Sequence, residues 1–276
     1  MSEGILYIVP TPIGNLKDIT LRAIDVLSSV DYIAAEDSRV ISKLLSHYNI
    51  HSKIISYHKF NEAERVKNIL ELLKSGKNIA LVSDAGTPGI SDPGYRLIKD
   101  SIIQNIDIRT LPGPTAFVPA LINSGFDISR FYFVGFLPKK QKEIKETLKK
   151  IENLNEVTIL YEAPHRLNKT LNLLYKYLGD RYISISREIT KVFESNYRGL
   201  LSELIDNKDI ILKGEFVIII DKVEFQKNEI SNELINEIKK EIDCGMSEKD
   251  AIRLVSKRFK VSKNRLYDFF YQVKNK

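Results

Sequence analysis

Residues 80–97 read ALVSDAGTPGISDPGYRL. An apolar run that predicts a strand enters this stretch, and YRLIKDSII, which predicts a helix, leaves it. Three glycines, two prolines and two aspartates lie between them. Connections of this kind usually take about two to six residues, so a longer one reads as a binding loop. Gly86, Gly89 and Gly94 let backbone approach a ligand closely or take positive φ, while Pro88 and Pro93 stiffen the path. Asp84 stands at the strand end, where a carboxylate accepts from a hydroxyl or amine or pairs with a cation. The competing reading is a capped loop without a ligand.

Two further Pro/Gly turns follow predicted strands: VPTPIGN at 9–15 and LPGPTAF at 111–117. The first stands where a nucleotide fold places its phosphate-binding glycines, yet neither G-x-G-x-x-G nor G-x-x-x-x-G-K-[ST] occurs in the chain. Pro10 and Pro12 also remove two N–H donors that a phosphate would use. A ligand without phosphates, held by carbonyls and van der Waals contact, fits better. Three such turns in one domain predict a composite pocket. His47, His51, His58 and His165 lack zinc-like spacing with the lone Cys244, so no metal is expected.

The elements that must position these turns alternate. ILYIV (5–9), YIAAE (32–36), KIISYH (53–58), IALVSD (79–84) and IRTLP (108–112) predict strands, with helices at 20–29, 38–47, 61–75 and 94–104. Asn61 followed by Glu64 resembles a capping box. This alternation predicts an α/β domain with a largely parallel sheet over 1–115. A second α/β alternation covers 116–222: FYFVGF, a basic helix near 139–153, VTILYEA, a helix at 164–178, YISISRE, a helix near 197–206 and FVIIID. KVEFQKNE (222–229) reads as a linker. Helical patterns at 230–243, 248–259 and 262–273 then form a basic helix-turn-helix-like module, residues 230–276.

The net charge of +6 is localised. From Lys249 to Lys276 nine basic residues, Lys257, Arg258, Lys260 and Lys263 among them, face only Asp250 and Asp268, so this segment carries +7 and the remainder −1. A localised basic segment suits a polyanion partner, and a solvated helix surface is the bland reading. One cysteine excludes internal disulfides and fits a reducing compartment. The N-terminus has no basic n-region ahead of its short apolar run, and no window approaches the roughly 20 apolar residues of a membrane span. A cytoplasmic protein is expected.

VPTPIGN, AAEDSR (34–39), SYHKFNEAER (56–65), LVSDAGTPGISDPG (81–94), LPGPTA (111–116), FVGFLP (133–138), LYEAPHR (160–166), SREITK (186–191) and GEFVIII (214–220) follow in order. Together they resemble the tetrapyrrole methylase superfamily, and within it the branch that methylates the ribose 2′-hydroxyl of a decoding-site cytidine in 16S ribosomal RNA. DAIRLVSKRFKVSKNRLYDFF is similar to that branch's C-terminal module. The resemblance implies two α/β domains, S-adenosylmethionine in the cleft between them, and a homodimer. By position it implies a cofactor site of Pro10, Thr11, Pro12, Ile13, Gly14, Asp84, Ala85, Gly86, Thr87, Pro88, Thr115, Ala116, Tyr161 and Glu162. Ser83-Asp84-Ala85 stands where tetrapyrrole-modifying members have G-D-P, which favours the RNA branch.

For the acceptor side the candidates are Glu36, Asp37 and Arg39 at the second strand end, His58, Asn61 and Glu62 at the third, and Arg187, Glu188 and Lys191 after SIS. Each also suits an ion pair or helix cap. A ribose hydroxyl is a poor nucleophile, so a base or a cation beside the developing alkoxide would help. Arg166 and Arg187 suit RNA phosphates, as do Lys257, Arg258, Lys260 and Lys263 in the tail; His165 could be a helix cap. The rival functions are a small-molecule tetrapyrrole methylase and a non-catalytic RNA-binding protein.

Overall fold

The computed structural model of the chain describes residues 3–222, 232–259 and 263–274. The first part runs β1 (Leu6–Ile8), α1 (Leu21–Ser29), β2 (Tyr32–Ala35), α2 (Ser38–His47), β3 (Lys53–Ser56), α3 (Glu62–Lys74), β4 (Ile79–Val82), α4 (Tyr95–Ile103) and β5 (Ile108–Thr110). Its five strands lie in the order β3-β2-β4-β1-β5, all parallel. Alternate side chains explain why both faces are buried: Ile33, Ala35, Ala80 and Val82 pack toward α1 and α2. Ala34, Ile79 and Leu81 pack toward α3 and α4. A parallel sheet needs that double cover, which is why its strands read as unbroken apolar runs.

The chain continues through α5 (Phe117–Ser124), β6 (Phe131–Phe136), α6 (Gln141–Glu152), β7 (Val157–Glu162), α7 (Leu167–Leu178), β8 (Tyr182–Arg187), β9 (Ser195–Leu200), α8 (Leu201–Leu204) and β10 (Phe216–Ile220). The second sheet has the order β6-β7-β10-β8-β9, and only β6 and β7 pair in parallel. Three expectations change here. The helix expected near 197–206 is the hairpin strand β9 followed by one short turn of helix. Its tyrosine and its place beside β8 serve a strand better than a helix. Helix α5 escapes the sequence reading because Pro119 interrupts the pattern, but Pro119 falls in the first turn, where no N–H is required. Asn61 precedes α3 without a side-chain cap bond; its Oδ1 accepts from His58 N at 2.8 Å and its Nδ2 donates to Ser56 O at 3.1 Å.

The terminal helices α9 (Asn232–Asp243), α10 (Glu248–Arg258) and α11 (Lys263–Lys274) enclose their own core of Leu234, Ile235, Ile238, Ile252, Val255, Leu266 and Phe270. Ser247 caps α10, accepting from Asp250 N at 3.2 Å. Most of the linker expected at 222–229 lies outside the described residues. Among the described residues no helix is long and apolar enough to cross a membrane.

Candidate functional site

All five strands of the first sheet end at one edge, and the three Pro/Gly turns leave from it. They interlock. Thr11 and Gly86 exchange two backbone hydrogen bonds of 2.9 Å each, and Thr11 Oγ1 donates to Ser83 O at 3.0 Å. Thr87 Oγ1 donates to Pro114 O at 3.1 Å, tying the long loop to the third turn. Gly113 lies so close to Pro10 that an added Cβ would sit 2.6 Å from the proline Cβ, which ties the third turn to the first. The long loop also reaches the second sheet: a Cβ on Gly135 of β6 would lie 3.1 Å from Ser91 Oγ. Its length therefore spans neighbouring turns and the facing sheet before it folds back at Gly94 to start α4.

The electrostatics of this edge are acidic. Asp84 is exposed and accepts from Asp37 N at 2.9 Å. Glu36 is held above the usual carboxylate range by burial and then by the Asp84 charge. Asp92, in the same loop, is pushed up to about 6 by burial and by the nearby Glu36 and Asp84 carboxylates. None of these three forms an ion pair among the described residues. Sequence reasoning misses Asp92; the signal for it is its place in SDPG, in the same loop as Asp84.

The second half brings a different group. Glu188 and Thr190 follow β8 with φ of 52° and 67°, a backbone that non-glycine residues hold only when their surroundings impose it. Lys191 Nζ is fixed by Glu188 Oε1 at 2.8 Å and Glu215 Oε2 at 3.1 Å. Burial works against its charge, but these hydrogen bonds prevail and hold its ammonium above the usual range. Its aliphatic stem lies against Gly14, where an added Cβ would meet Lys191 Cγ at 2.3 Å. Thr190 Oγ1 also donates to the carboxylate of Asp18. Tyr161 projects toward the same space, packed at 5.3 Å on Phe133 and pushed up to about 12 by burial and by Asp92 and Glu215.

Several expected site residues are engaged with other partners within the chain. Glu162 is 2% exposed, accepting from Thr170 Oγ1 and Ala163 N and pairing with Arg166 Nε at 3.3 Å. Tyr161 and Glu162 are adjacent on a strand and so take opposite faces. Arg166 also donates to Leu137 O at 3.0 Å. Arg187 is buried and donates to Lys213 O and Phe193 O, bracing two loops. Glu62 accepts from Tyr57 Oη at 2.6 Å. Asp37 is held down to about 2 by Arg39, whose guanidinium it binds. His165 is exposed in the short 3-10 turn at Pro164–Arg166, whose N-cap position is held by Ala163.

In the tail Arg258 pairs with Glu241 at 2.9 Å and Glu237 at 3.6 Å. Lys260 and the side chains of Lys257 and Lys263 lie outside the described residues. Among the described residues no group of three His, Cys, Asp or Glu could hold a metal ion.

The model of the Tetrapyrrole (Corrin/Porphyrin) Methylases matches residues 5–205. A "Ribosomal RNA small subunit methyltransferase I" from Bacillus subtilis is 44% identical, the match covering 97% of this chain and 94% of the relative. The protein of the same name from Synechocystis sp. is 41% identical with 98% of each covered. Among solved structures, the methyltransferase CobJ superposes with a TM-score of 0.60 at 18% identity, covering 80% of this chain and 95% of that one. Uroporphyrin-III-C-methyltransferase from Thermus thermophilus gives 0.57 at 17%, covering 82% and 98%. A shared edge of interlocked turns, the ordered motifs that build it and the match over most of the chain agree: this chain belongs to the tetrapyrrole methylase family.

Proposed function

We propose that the chain methylates small-subunit ribosomal RNA, at the ribose 2′-hydroxyl of a decoding-site cytidine. S-adenosylmethionine is the methyl donor of this family. The three-turn edge fits it by charge and by backbone. Glu36, Asp84 and Asp92 form no ion pair among the described residues, and their clustered carboxylates favour a ligand bearing positive charge. Two prolines stand where a phosphate would need donors. The three turns and Tyr161 would hold this donor, which supplies an electrophilic methyl on a sulfonium.

In-line transfer depends chiefly on position, and the interlocked turns serve it by binding the donor in one place. Lys191 stays protonated at neutral pH and so cannot take the hydroxyl proton; it stabilises negative charge developing on the ribose oxygen. Asp92, poised at about 6, is ionised at neutral pH and basic enough to accept that proton.

The observation that carries the ribosomal assignment is the near-full-length similarity to small-subunit methyltransferases. That match extends through the basic helical module, which lies beyond the residues of the family model. The same reading includes a homodimer, which the exposed Val118, Ile122 and Phe131 would help to seat; sedimentation tests it. The test of function is transfer of labelled methyl to small subunits lacking the modification, with mass-spectrometric mapping of the product. A chain that binds S-adenosylmethionine but methylates no 16S-containing substrate overturns the proposal. A methyl group on a base instead of a ribose overturns its 2′-hydroxyl part.

A further inference from the structure

Phe60 is 95% exposed, although the loop that carries it is closely fixed. Asn61 clamps both sides of the turn through His58 N and Ser56 O, and Asn61 N donates to His58 O. Beneath, Tyr57 is buried and locked to Glu62, and its N–H continues the sheet by donating to Ala35 O. A fixed turn that holds a phenyl ring in water gains nothing from burying it. The ring lies 6.1 Å from the His58 ring at an interplanar angle of 63°, and at 95% exposure its faces are open to a partner. His58 Nδ1 is itself buried with no hydrogen-bond partner among the described residues. Lys59 beside it is exposed and makes no ion pair among the described residues. The turn leaves the carboxyl end of β3, the edge that carries the three interlocked turns, and His58 is close enough to act on the Glu36 carboxylate.

We infer that Phe60 is a stacking platform for an unpaired nucleobase of the RNA substrate, with Lys59 beside it for a phosphate. The inference rests on the RNA reading above and adds the residue that orders the strand. Enzymes that act on single nucleotides of structured RNA hold neighbouring bases unstacked, and an open aromatic face next to a cation is the chemistry that does so. An acidic edge would otherwise repel the phosphate backbone, so an attractive surface at its rim has a clear use.

The chain contains no tryptophan, so Phe60→Trp places a single reporter at this position. A short single-stranded oligoribonucleotide should quench its fluorescence saturably, in the full-length protein. In methylation assays Phe60→Ala should raise KM for ribosomal substrate about tenfold, within the range for loss of one stacked base. Its S-adenosylmethionine affinity should be unchanged and Phe60→Trp should restore KM. Indole fluorescence that RNA leaves unquenched in the F60W protein, or a Phe60→Ala enzyme with wild-type KM, overturns the inference while leaving the methyltransferase reading intact. Quenching by ribosomal protein but not by RNA also overturns it. Failure of the wild-type chain to methylate any ribosomal RNA is the separate result that removes the reading beneath it.

Discussion

The two walls of the site are built by opposite means. The wall from the first sheet is a backbone construction: paired amides at Thr11 and Gly86, hydroxyls on carbonyls, and prolines against glycine. The wall from the second sheet is a side-chain construction, with Lys191 held between Glu188 and Glu215 on a turn with positive φ at two non-glycine residues. Backbone walls set shape and tolerate side-chain change, whereas charged clusters set local potential and fail when one member is lost. The first wall is therefore suited to recognising a ligand and the second to acting on developing charge.

The sharpest way to break this division is Lys191→Met. If the second wall acts on the transition state, kcat should fall about 100-fold, the scale of losing one group that stabilises an oxyanion. S-adenosylmethionine affinity, measured by calorimetry, should change little. Lys191→Arg should recover only part of the rate, since a planar guanidinium cannot occupy the same two-carboxylate seat. A large loss of affinity with little change in kcat would reverse the roles of the walls.

The complementary lesion is Gly113→Ala. Its methyl would meet the Pro10 ring at 2.6 Å, so one of the two turns must shift. Overpacking of this kind costs about 1–3 kcal/mol, so the interlock between the first and third turns should open. Affinity for S-adenosylmethionine should fall about tenfold, while kcat at saturating cofactor stays within about threefold of wild type, the offset expected when about 1.4 kcal/mol is lost from binding alone. Unchanged affinity would mean that the contact of these turns does not shape the cofactor site.

Asp92 joins the two walls electrostatically, since Glu36 and Asp84 of one and Glu215 of the other all act on it. Its folded-state value of about 6 lies above the 3.8 of an ordinary aspartate. Its contribution to stability is thus fully present below about pH 4 and is lost as pH rises through about 6. Asp92→Asn should consequently be more stable than wild type at about pH 7.5, by about 1 kcal/mol once partial exposure is allowed for. The difference should shrink toward zero near about pH 4 in denaturant titrations. The same variant should lose methyl transfer. A stability gain that does not vary with pH would show that burial of this carboxylate is not what shifts it.

Much of this is legible in the sequence, and for identifiable reasons. Apolar runs such as IALV announce a strand buried on both faces, and Pro/Gly spacing announces turns whose backbone shape matters. What the sequence conceals are contacts that depend on which way a side chain points. Tyr161 and Glu162 read as one pair but take opposite faces of β7. Arg187 reads as a phosphate ligand but braces two loops from the interior. Asp92 escapes notice because its importance comes from Glu36 and Asp84, brought close only by the parallel register of β2 and β4. In 195–205 the closing run of leucines suits a helix while Tyr197 suits a strand, and pairing with β8 decides the matter.

The smallest effect expected concerns the tail, where a sequence reading treats all cations alike. Arg258 is committed to Glu237 and Glu241. Lys249 and Arg253 are exposed on α10 and make no ion pair among the described residues. Counterion release scales with the phosphates contacted, at about 0.9 in log–log slope per contact. The Lys249→Ala/Arg253→Ala double variant should thus reduce the salt slope of RNA binding by up to about 2, with stability unchanged because surface cations without partners contribute little. Arg258→Ala should do the reverse, lowering stability slightly and leaving the slope near that of wild type. If Arg258→Ala flattens the slope and the double variant does not, the pairs on α9 open on RNA binding. The basic surface would then be one that RNA assembles by competing with Glu237 and Glu241.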